Sequence, residues 1–343
     1  MYYDGTKILS LKDKNGEKPE IYCVCGNRTA GKTTYFNRYF INRFIKNKEL
    51  FVLLYRNKYQ VADAAQGFFN DIESLFFNGY KLTQKNRENN AYAELYLNDE
   101  LCGFAICLKC VETIKRLSHI FNNVQRIMLD EFQTENNVYL KKEVQLLLSV
   151  HASIARGAGQ MRRYVPVFLV GNYITMLNPY YTALGISAKL SKNTKFYKGD
   201  GFVLEQNINN EAVEAIQKSG ISKAFSSIKY NQKNSEIEYL LDNNNFIEKI
   251  KDKDCKYLCT IKANDKEYSI KEYETKGLLY CDDRIDKTCK LVYTLNCADH
   301  EQRTILIGNN NLLINTLRGY FRSGLFRFKN LDCKEAIINF LSF

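Results

Sequence analysis

Between Glu20 and about Lys198, short continuous apolar runs alternate with segments in which apolar residues recur at helical spacing. The runs predict strands at 20–25, 50–55, 101–108, 124–129 and 165–171, with a further strand at 194–198, and the spacing predicts helices at 35–45 and 142–156. Continuous runs are typical of strands that are buried on both faces. The pattern therefore predicts an α/β domain whose parallel-rich sheet lies between helices.

The pattern changes near residue 200. Residues 200–235 are largely polar, with one short helical pattern at 210–218, and we interpret this stretch as a linker or small lid. Beyond it, Tyr-, Ile- and Val-containing runs separated by Asn, Asp and Gly predict an antiparallel set of strands, followed by helices near 309–322 and 333–341. The predicted organisation is a first domain at 1–200, a linker or lid at 201–235 and a small α+β domain at 236–343.

Composition narrows the class of partner. The 343 residues carry a net charge of +11, and the first 206 residues hold 28 basic and 19 acidic side chains. Such an excess favours a polyanion such as nucleic acid, or an anionic membrane surface, as partner. The sequence has no apolar run of 18 residues and no signal-peptide pattern, so we interpret it as cytoplasmic.

The cysteines do not indicate a metal site or a disulfide framework. Of the eleven cysteines, Cys107 and Cys110 form the only C-x-x-C pair, and the chain has three histidines. A zinc site needs four ligands, so we favour reduced, mostly buried thiols over metal or a disulfide framework.

The stretch "GNRTAGKTT" matches the phosphate-binding pattern G-x-x-x-x-G-K-[ST], between a predicted strand and a predicted helix. Glycines let the backbone wrap phosphates, and the loop N–H groups and helix N-terminus supply positive potential. Lys32 is expected to reach the β- and γ-phosphate oxygens, and Thr33 to bind Mg²⁺. The predicted nucleotide-binding residues are Gly26, Asn27, Arg28, Thr29, Ala30, Gly31, Lys32, Thr33 and Thr34.

A second signal is "VQRIMLDEF", in which a buried strand ends in Asp130-Glu131. Asp130 is predicted to complete the Mg²⁺ site and Glu131 to polarise the attacking water, as in ATPases with an added catalytic glutamate. Two adjacent acids after a strand are also common in a solvated turn, but here they follow the phosphate-loop pattern by about 100 residues. We favour the catalytic interpretation.

Three more side chains are candidates for catalysis. Asn172 ends the strand "VPVFLVGN" and is predicted to sense the γ-phosphate, although Gly-Asn also suits an ordinary turn. Arg156, in the basic segment "ARGAGQMRRY", is the candidate arginine finger that completes a neighbouring subunit's site, with a solvated basic loop as the alternative. Arg28 is predicted to touch the γ-phosphate or Glu131.

Four segments, "GNRTAGKTT", "LLYRNKYQVADAAQGFF", "RIMLDEF" and "FLVGNYITMLNPYY", together resemble the genome-packaging ATPases, or encapsidation proteins, of small podoviruses with protein-primed replication. The resemblance spans about 20–184 by motif and the whole chain by layout. It implies a terminase-like motor with a P-loop ATPase domain of the additional-strand catalytic-glutamate type, followed by a small, degenerate RNase H-like domain.

By this resemblance the protein uses ATP and Mg²⁺ and moves double-stranded DNA, independently of sequence, into a viral procapsid. It also implies a homo-oligomeric ring, pentameric in the family, that docks on the portal in the host cytoplasm without contacting a membrane. Arg156 then matches the trans-acting finger, and Arg56 and Lys58 match the region that faces DNA. The sequence leaves open whether a structural RNA takes part.

Two other functions remain open. The cluster Asp282, Asp283 and Asp286 would suit a terminase-like nuclease. Such an enzyme needs carboxylates from several elements around two metal ions, so we favour a solvated acidic turn and do not expect DNA cleavage. The polar stretch at 200–235 would suit a nucleotide-switched binding module whose domains move relative to each other.

Overall fold

The structure is a computed structural model that describes residues 3–135, 138–156, 161–175, 178–186, 190, 194–207, 211, 214, 218–224, 246–250, 254–263, 266–295, 297–308 and 311–341. The chain forms two compact units, one of Met1–Ile186 with Leu190–Asp242 and the other including Asn243–Phe343. Most of the predicted linker, and most of its helical pattern at 210–218, lies outside the described residues.

The first unit is an α/β structure. Its described strands are β1 (Ile21–Gly26), β2 (Leu50–Tyr55), β3 (Leu82–Arg87), β4 (Tyr92–Leu97), β5 (Glu100–Cys107), β6 (Val124–Asp130), β7 (Val167–Asn172), β8 (Phe196–Lys198) and β9 (Phe202–Asn207). Its described helices are α1 (Thr6–Ser10), α2 (Lys32–Asn47), α3 (Lys58–Ala62), α4 (Ala64–Phe76), α5 (Val111–Arg116), α6 (Glu143–Ala155), α7 (Pro179–Ala183) and α8 (Gly220–Ala224).

The nine described strands of this unit form one sheet in the order β3-β4-β5-β2-β6-β7-β1-β9-β8. The six strands from β5 to β9 in that order are parallel, and antiparallel strands flank them at both edges. The predicted parallel-rich sheet is therefore confirmed. Because β7 lies between β1 and β6, the carboxyl ends of these three strands meet at the same edge of the sheet.

Helices cover both faces of the sheet. In α2 the buried residues Phe36, Phe40 and Phe44 follow one another at four-residue spacing, which gives the helix an apolar stripe toward one face. Residues of α6, including Val150 and Ile154, join a separate core cluster on the other face. The central strands are therefore packed against a hydrophobic core on each face of the sheet, which fixes the positions of their ends.

Two parts of the first unit were not predicted. The strands β3 and β4 form an edge hairpin, and β3 is exposed or half-buried along its length. The strand β9, which falls in the predicted linker, pairs with β1 along its whole length, so its residues belong to the sheet. The boundary at residue 236 lies outside the described residues and stays a prediction.

The second unit is a smaller α+β structure. Its described strands are β10 (Lys256–Ala263), β11 (Lys266–Tyr273), β12 (Leu278–Asp282), β13 (Val292–Thr294), β14 (Ile305–Leu306) and β15 (Phe326–Phe328), and its described helices are α9 (Leu312–Arg322) and α10 (Leu331–Leu341). The sheet order is β14-β13-β10-β11-β12-β15, with an antiparallel centre of β10, β11 and β12. The outer strands pair in parallel, which the sequence pattern did not indicate.

No helix within the described ranges combines the length and the apolar character needed to cross a membrane.

Candidate active site

The glycine-rich loop joins the carboxyl end of β1 to the start of α2. Gly31 directly precedes α2 in the left-handed region, with φ 87°. A Cβ atom on Gly26 would lie 2.7 Å from the carbonyl oxygen of Asn207 and 3.1 Å from Cδ of Lys32, so this position needs glycine. The first N–H groups of the 16-residue helix α2 are therefore presented at the loop, as a phosphate requires.

Lys32 lies under this loop with 5% of its surface exposed. Its Nζ donates to the carbonyl oxygen of Asn27 at 2.7 Å and to Oδ1 of Asn172 at 3.2 Å. Burial lowers the pKa of the ammonium group to about 8. The structure thus brings together the lysine and the asparagine that the sequence placed 140 residues apart, and an anionic group bound here would stabilise the charged lysine.

Thr33 and Asp130 place two oxygen atoms that could coordinate a metal ion next to this lysine. The Thr33 hydroxyl donates to Oδ1 of Asp130 at 3.3 Å, and the backbone N–H of Glu131 donates to the same oxygen at 2.9 Å. Burial raises the pKa of Asp130 to about 6. A hydroxyl and a carboxylate are ligands that Mg²⁺ accepts, and the cation would offset the cost of partly burying this charge. The pair therefore fits the predicted metal.

Glu131 is exposed at the end of β6, and its backbone is in the left-handed region with φ 51°. That conformation costs free energy for a residue other than glycine and persists only where neighbours hold it. Arg56 supplies such contacts, because its guanidinium donates to the carbonyl oxygens of Glu131 and Phe132, each at 2.9 Å.

The guanidinium of Arg56 is in turn held by Glu143, the first residue of α6. Arg56 Nε donates to both carboxylate oxygens at 3.0 and 3.1 Å, and Nη2 donates to Oε1 at 2.8 Å. The hydroxyl of Tyr180 at 2.7 Å and the N–H of Leu140 at 2.9 Å also donate to this carboxylate. Arg56 was predicted to contact DNA; its side chain is 11% exposed and is held by Glu143 within this unit, and the DNA contact stays a prediction.

We expect Arg56→Ala to lower the free energy of unfolding by about 3–5 kcal/mol, because it leaves the Glu143 carboxylate buried without its cation. Lys58→Ala is the matched control, since Lys58 is exposed and should change stability by less than about 0.5 kcal/mol. Urea denaturation followed by circular dichroism measures both. Equal midpoints for the two variants would contradict a stabilising role for the Arg56–Glu143 ion pair.

The two remaining candidate arginines lie at separate places. Arg28 forms an ion pair with Glu135, and its contact with the γ-phosphate or Glu131 stays a prediction. Arg156 follows the last residue of α6, is exposed, and donates from Nη2 to the Ser118 hydroxyl at 3.0 Å. Residues 157–160, which include the predicted flexible Gly157-Ala158-Gly159, lie outside the described residues.

A buried glutamine was missed by the sequence analysis. Gln133 is 3% exposed, and its Oε1 accepts from the backbone N–H groups of Ile174 and Thr175 at 3.2 and 2.9 Å. Its Nε2 donates to Sγ of Cys25 at 3.1 Å. Gln133 thereby ties the segment after Glu131 to β1 and to the segment after β7. Its position two residues after the acid pair was the only available signal.

In the acidic cluster of the second unit, Asp282 forms ion pairs with lysine side chains. Asp282 accepts from Nζ of Lys271 at 2.9 Å and lies 3.0 Å from Nζ of Lys329. Burial raises the pKa of Asp282, but these lysines outweigh that effect and hold it at about 2. The predicted solvated turn is therefore wrong for Asp282, which is 8% exposed at the end of β12.

Of the other two acids of the cluster, Asp283 shares a lysine with Asp282, whereas Asp286 is held by a residue two positions further along the chain. Asp283 pairs with Lys329, and Asp286 accepts from the backbone and hydroxyl of Thr288 at 2.9 and 2.7 Å. Within the described ranges, no three His, Cys, Asp or Glu side chains are placed to hold a metal ion together.

Comparison with known proteins extends over the whole chain. Residues 1–342 match the family model described as podovirus DNA encapsidation protein (Gp16). The DNA packaging proteins of Bacillus phages PZA and phi29 are each 29% identical over 334 residues, which cover 96% of this chain and 94% of theirs. A chain of the bacteriophage phi29 genome packaging motor assembly superposes with a TM-score of 0.71 at 26% identity, over 98% of this chain and 96% of that one.

Proposed function

The chain belongs to the podovirus DNA encapsidation protein family, and from that membership we propose that it is the ATPase that drives double-stranded DNA into a viral procapsid. The observation that carries the proposal is the convergence of Lys32, Thr33, Asp130 and Asn172 at one edge of the sheet. The strand order, with β7 between the loop strand and the acid strand, supports a P-loop ATPase of the additional-strand type. The second unit is then a degenerate RNase H-like domain.

Binding and hydrolysis of ATP follow from the geometry of this edge. The loop and Lys32 hold the β- and γ-phosphates, while Thr33 and Asp130 hold Mg²⁺, which neutralises phosphate charge when it is bound. Glu131 is exposed beside Asp130, where its carboxylate orients and polarises a water for attack on the γ-phosphorus. Arg56 holds the backbone of Glu131 in its left-handed conformation.

The hydrogen bond between Lys32 and Asn172 supports the sensor role of Asn172. A γ-phosphate attracts the ammonium group of Lys32 more strongly than the neutral Asn172 amide does. Nucleotide binding therefore releases Asn172 Oδ1 from Lys32 and leaves the amide of Asn172 to bind the γ-phosphate or the attacking water. Since Asn172 ends β7, a change in its hydrogen bonds on γ-phosphate binding acts directly on a strand in the middle of the sheet.

Ring assembly places Arg156 in a neighbouring subunit's site. The residue is exposed at the end of α6 and its described contact is a single hydroxyl, so its charge can reach a partner. A positive charge added there stabilises the charge that develops on the transferred phosphoryl group. We propose a homo-oligomeric ring, pentameric as in the family, that docks on the portal of the procapsid in the host cytoplasm.

DNA is gripped through its phosphates without reading bases, which suits a motor that must move any sequence. The candidate DNA contacts are Arg56, which is 11% exposed and paired with Glu143, and Lys58, which is exposed at the start of the short helix α3. DNA cleavage is disfavoured, because the carboxylate of Asp282 is already paired with two lysines.

We expect ATP hydrolysis to rise with protein concentration and with added duplex DNA, and the apparent DNA affinity to fall at least tenfold between 50 and 200 mM salt. Lys58→Ala should weaken binding equally for different sequences and reduce the slope of log affinity against log salt by about 1. Lys115→Ala is the matched control, because Lys115 is an exposed lysine on α5 that pairs with Glu112. Hydrolysis that ignores DNA at every salt concentration would contradict the proposal.

A further inference from the structure

A cavity of about 510 Å³ lies in the first unit at the amino ends of the parallel strands, the edge opposite the glycine-rich loop. Its wall includes the starts of β1, β6 and β7 and one side of α2. We call it the basic cavity, because Lys18, Arg43, Arg126 and Arg163 line it together with a single carboxylate, Glu49. Three tyrosines also contribute to the wall, namely Tyr22, Tyr39 and Tyr164.

The carboxylate does not neutralise these cations. Glu49 is shared between Arg43, whose Nε donates to it at 2.9 Å, and Arg126, which forms a second ion pair with it. The guanidinium of Arg163 donates to the neutral carbonyl oxygens of Val124 at 2.9 Å and Ile154 at 2.6 Å. The lining therefore has an excess of three positive charges.

Two of these arginines also have buried nitrogens without a hydrogen-bond partner among the described residues. They are Nε and Nη1 of Arg126 and Nε of Arg163. Arg126 is 6% exposed, and burial lowers its pKa to about 10. Buried donors in native proteins are nearly always satisfied, so these three nitrogens belong to guanidinium groups whose charge is incompletely compensated by the protein.

The rim suits a ligand that enters from solvent. The Lys18 ammonium lies 4.1 Å from the centre of the Tyr164 ring, and Tyr164 is 38% exposed. Arg43 is partly exposed, with 40% of its side chain accessible. Exposed cations at the mouth, with buried cations behind them, give positive potential along the path into the cavity.

We propose that the basic cavity binds a phosphate group, with Lys18 and Arg43 contacting it and the buried guanidinium groups of Arg126 and Arg163 supplying further charge. Guanidinium groups match the geometry and charge of phosphate oxygens, and the volume accommodates a phosphate with an attached sugar or base. The group belongs to a free phosphate compound or to a nucleic-acid backbone. The proposal is independent of the function assigned to the glycine-rich loop.

The chain contains no tryptophan, so Tyr164→Trp gives the full-length protein a single fluorescent reporter at the cavity rim. This reporter protein is titrated with inorganic phosphate and, separately, with a 5′-phosphorylated dinucleotide. The same titrations are run on reporter proteins that also carry Lys18→Glu, Arg126→Met or Lys12→Glu. Lys12 is exposed and outside the cavity lining, so it is the matched control for Lys18. A Lys32→Ala background excludes a signal transmitted from the glycine-rich loop.

We expect a saturable fluorescence change with an apparent Kd of about 1 mM or tighter. Lys18→Glu should weaken it about tenfold, since it replaces an attraction by a repulsion at close range, and Lys12→Glu should not. Equal affinities for the two ligands indicate a free phosphate compound, and tenfold tighter binding of the dinucleotide indicates a nucleic-acid backbone. The proposal is overturned if neither ligand saturates by about 10 mM, or if Lys18→Glu and Lys12→Glu behave alike. Normal binding by a folded Arg126→Met protein would contradict the contribution of the buried guanidinium charge to phosphate binding.

Discussion

Arg156→Ala is expected to lower ATP turnover by assembled protein about 10³- to 10⁵-fold, the range by which an arginine finger accelerates phosphoryl transfer. The physical reason is the proposed finger role: Arg156 lies at the far end of α6 from Glu143, exposed and bound to one hydroxyl, which leaves its charge available to another subunit's nucleotide. Nucleotide affinity should change little, because the subunit's own loop is intact. Steady-state hydrolysis and nucleotide binding at several protein concentrations measure the two effects.

A mixing experiment separates a finger from a merely structural residue. Arg156→Ala and Lys32→Ala proteins should each be inactive, whereas their mixture should recover activity, because a normal loop then meets a normal arginine across some interfaces. Arg162→Ala is the matched control, since Arg162 is exposed in the same segment and pairs with Glu20. A mixture as inactive as its components would exclude completion of the site between subunits.

Glu131→Gln is expected to lower kcat for ATP hydrolysis by about 10²- to 10⁴-fold while leaving the KM or nucleotide affinity within a few-fold. The amide keeps the size and backbone contacts of the side chain but cannot polarise water as a carboxylate does. The backbone clamp from Arg56 is unaffected, because Arg56 donates to the carbonyl oxygen of Glu131 and not to its side chain. Single-turnover hydrolysis together with equilibrium nucleotide binding separates the two quantities.

The control for this substitution is Glu112→Gln on α5, an exposed acid that pairs with Lys115 on its own helix. It should leave both quantities unchanged. A normal kcat in Glu131→Gln would show that another group activates the water and would remove the acid pair from the catalytic assignment.

The sequence predicted those parts of the fold whose strands or helices have a clear local pattern of apolar residues. The continuous apolar runs of β1, β2, β6 and β7 identified buried parallel strands, because both faces of such strands are covered. The hairpin of β3 and β4 was missed because β3, "LTQKNR", lies half-exposed at an edge and has no apolar pattern. The strand β9 was missed because "FVLEQN" stands within a polar stretch.

In the candidate site, too, the residues in local motifs were predicted and the contacts between distant segments were not. Lys32, Thr33 and Asp130 were predicted because each stands in a short motif whose local context was visible. The ion pair of Arg56 was not predicted, because its partner Glu143 is 87 residues away and only the folded unit brings the two together. Gln133 was missed for the same reason, since its partners lie on β1 and after β7. Pairings between distant segments leave no periodic signal in one sequence.

The position of β9 next to β1 has a consequence for how the protein is made. The strand that supports the glycine-rich loop is synthesised first, yet its neighbours β7 and β9 end only at Asn172 and Asn207. During translation the loop therefore cannot take its final shape until most of the first unit has left the ribosome, and such distant pairings fold slowly. A fragment cut at residue 200 would lack β9 and leave β1 as an unprotected edge, which favours aggregation.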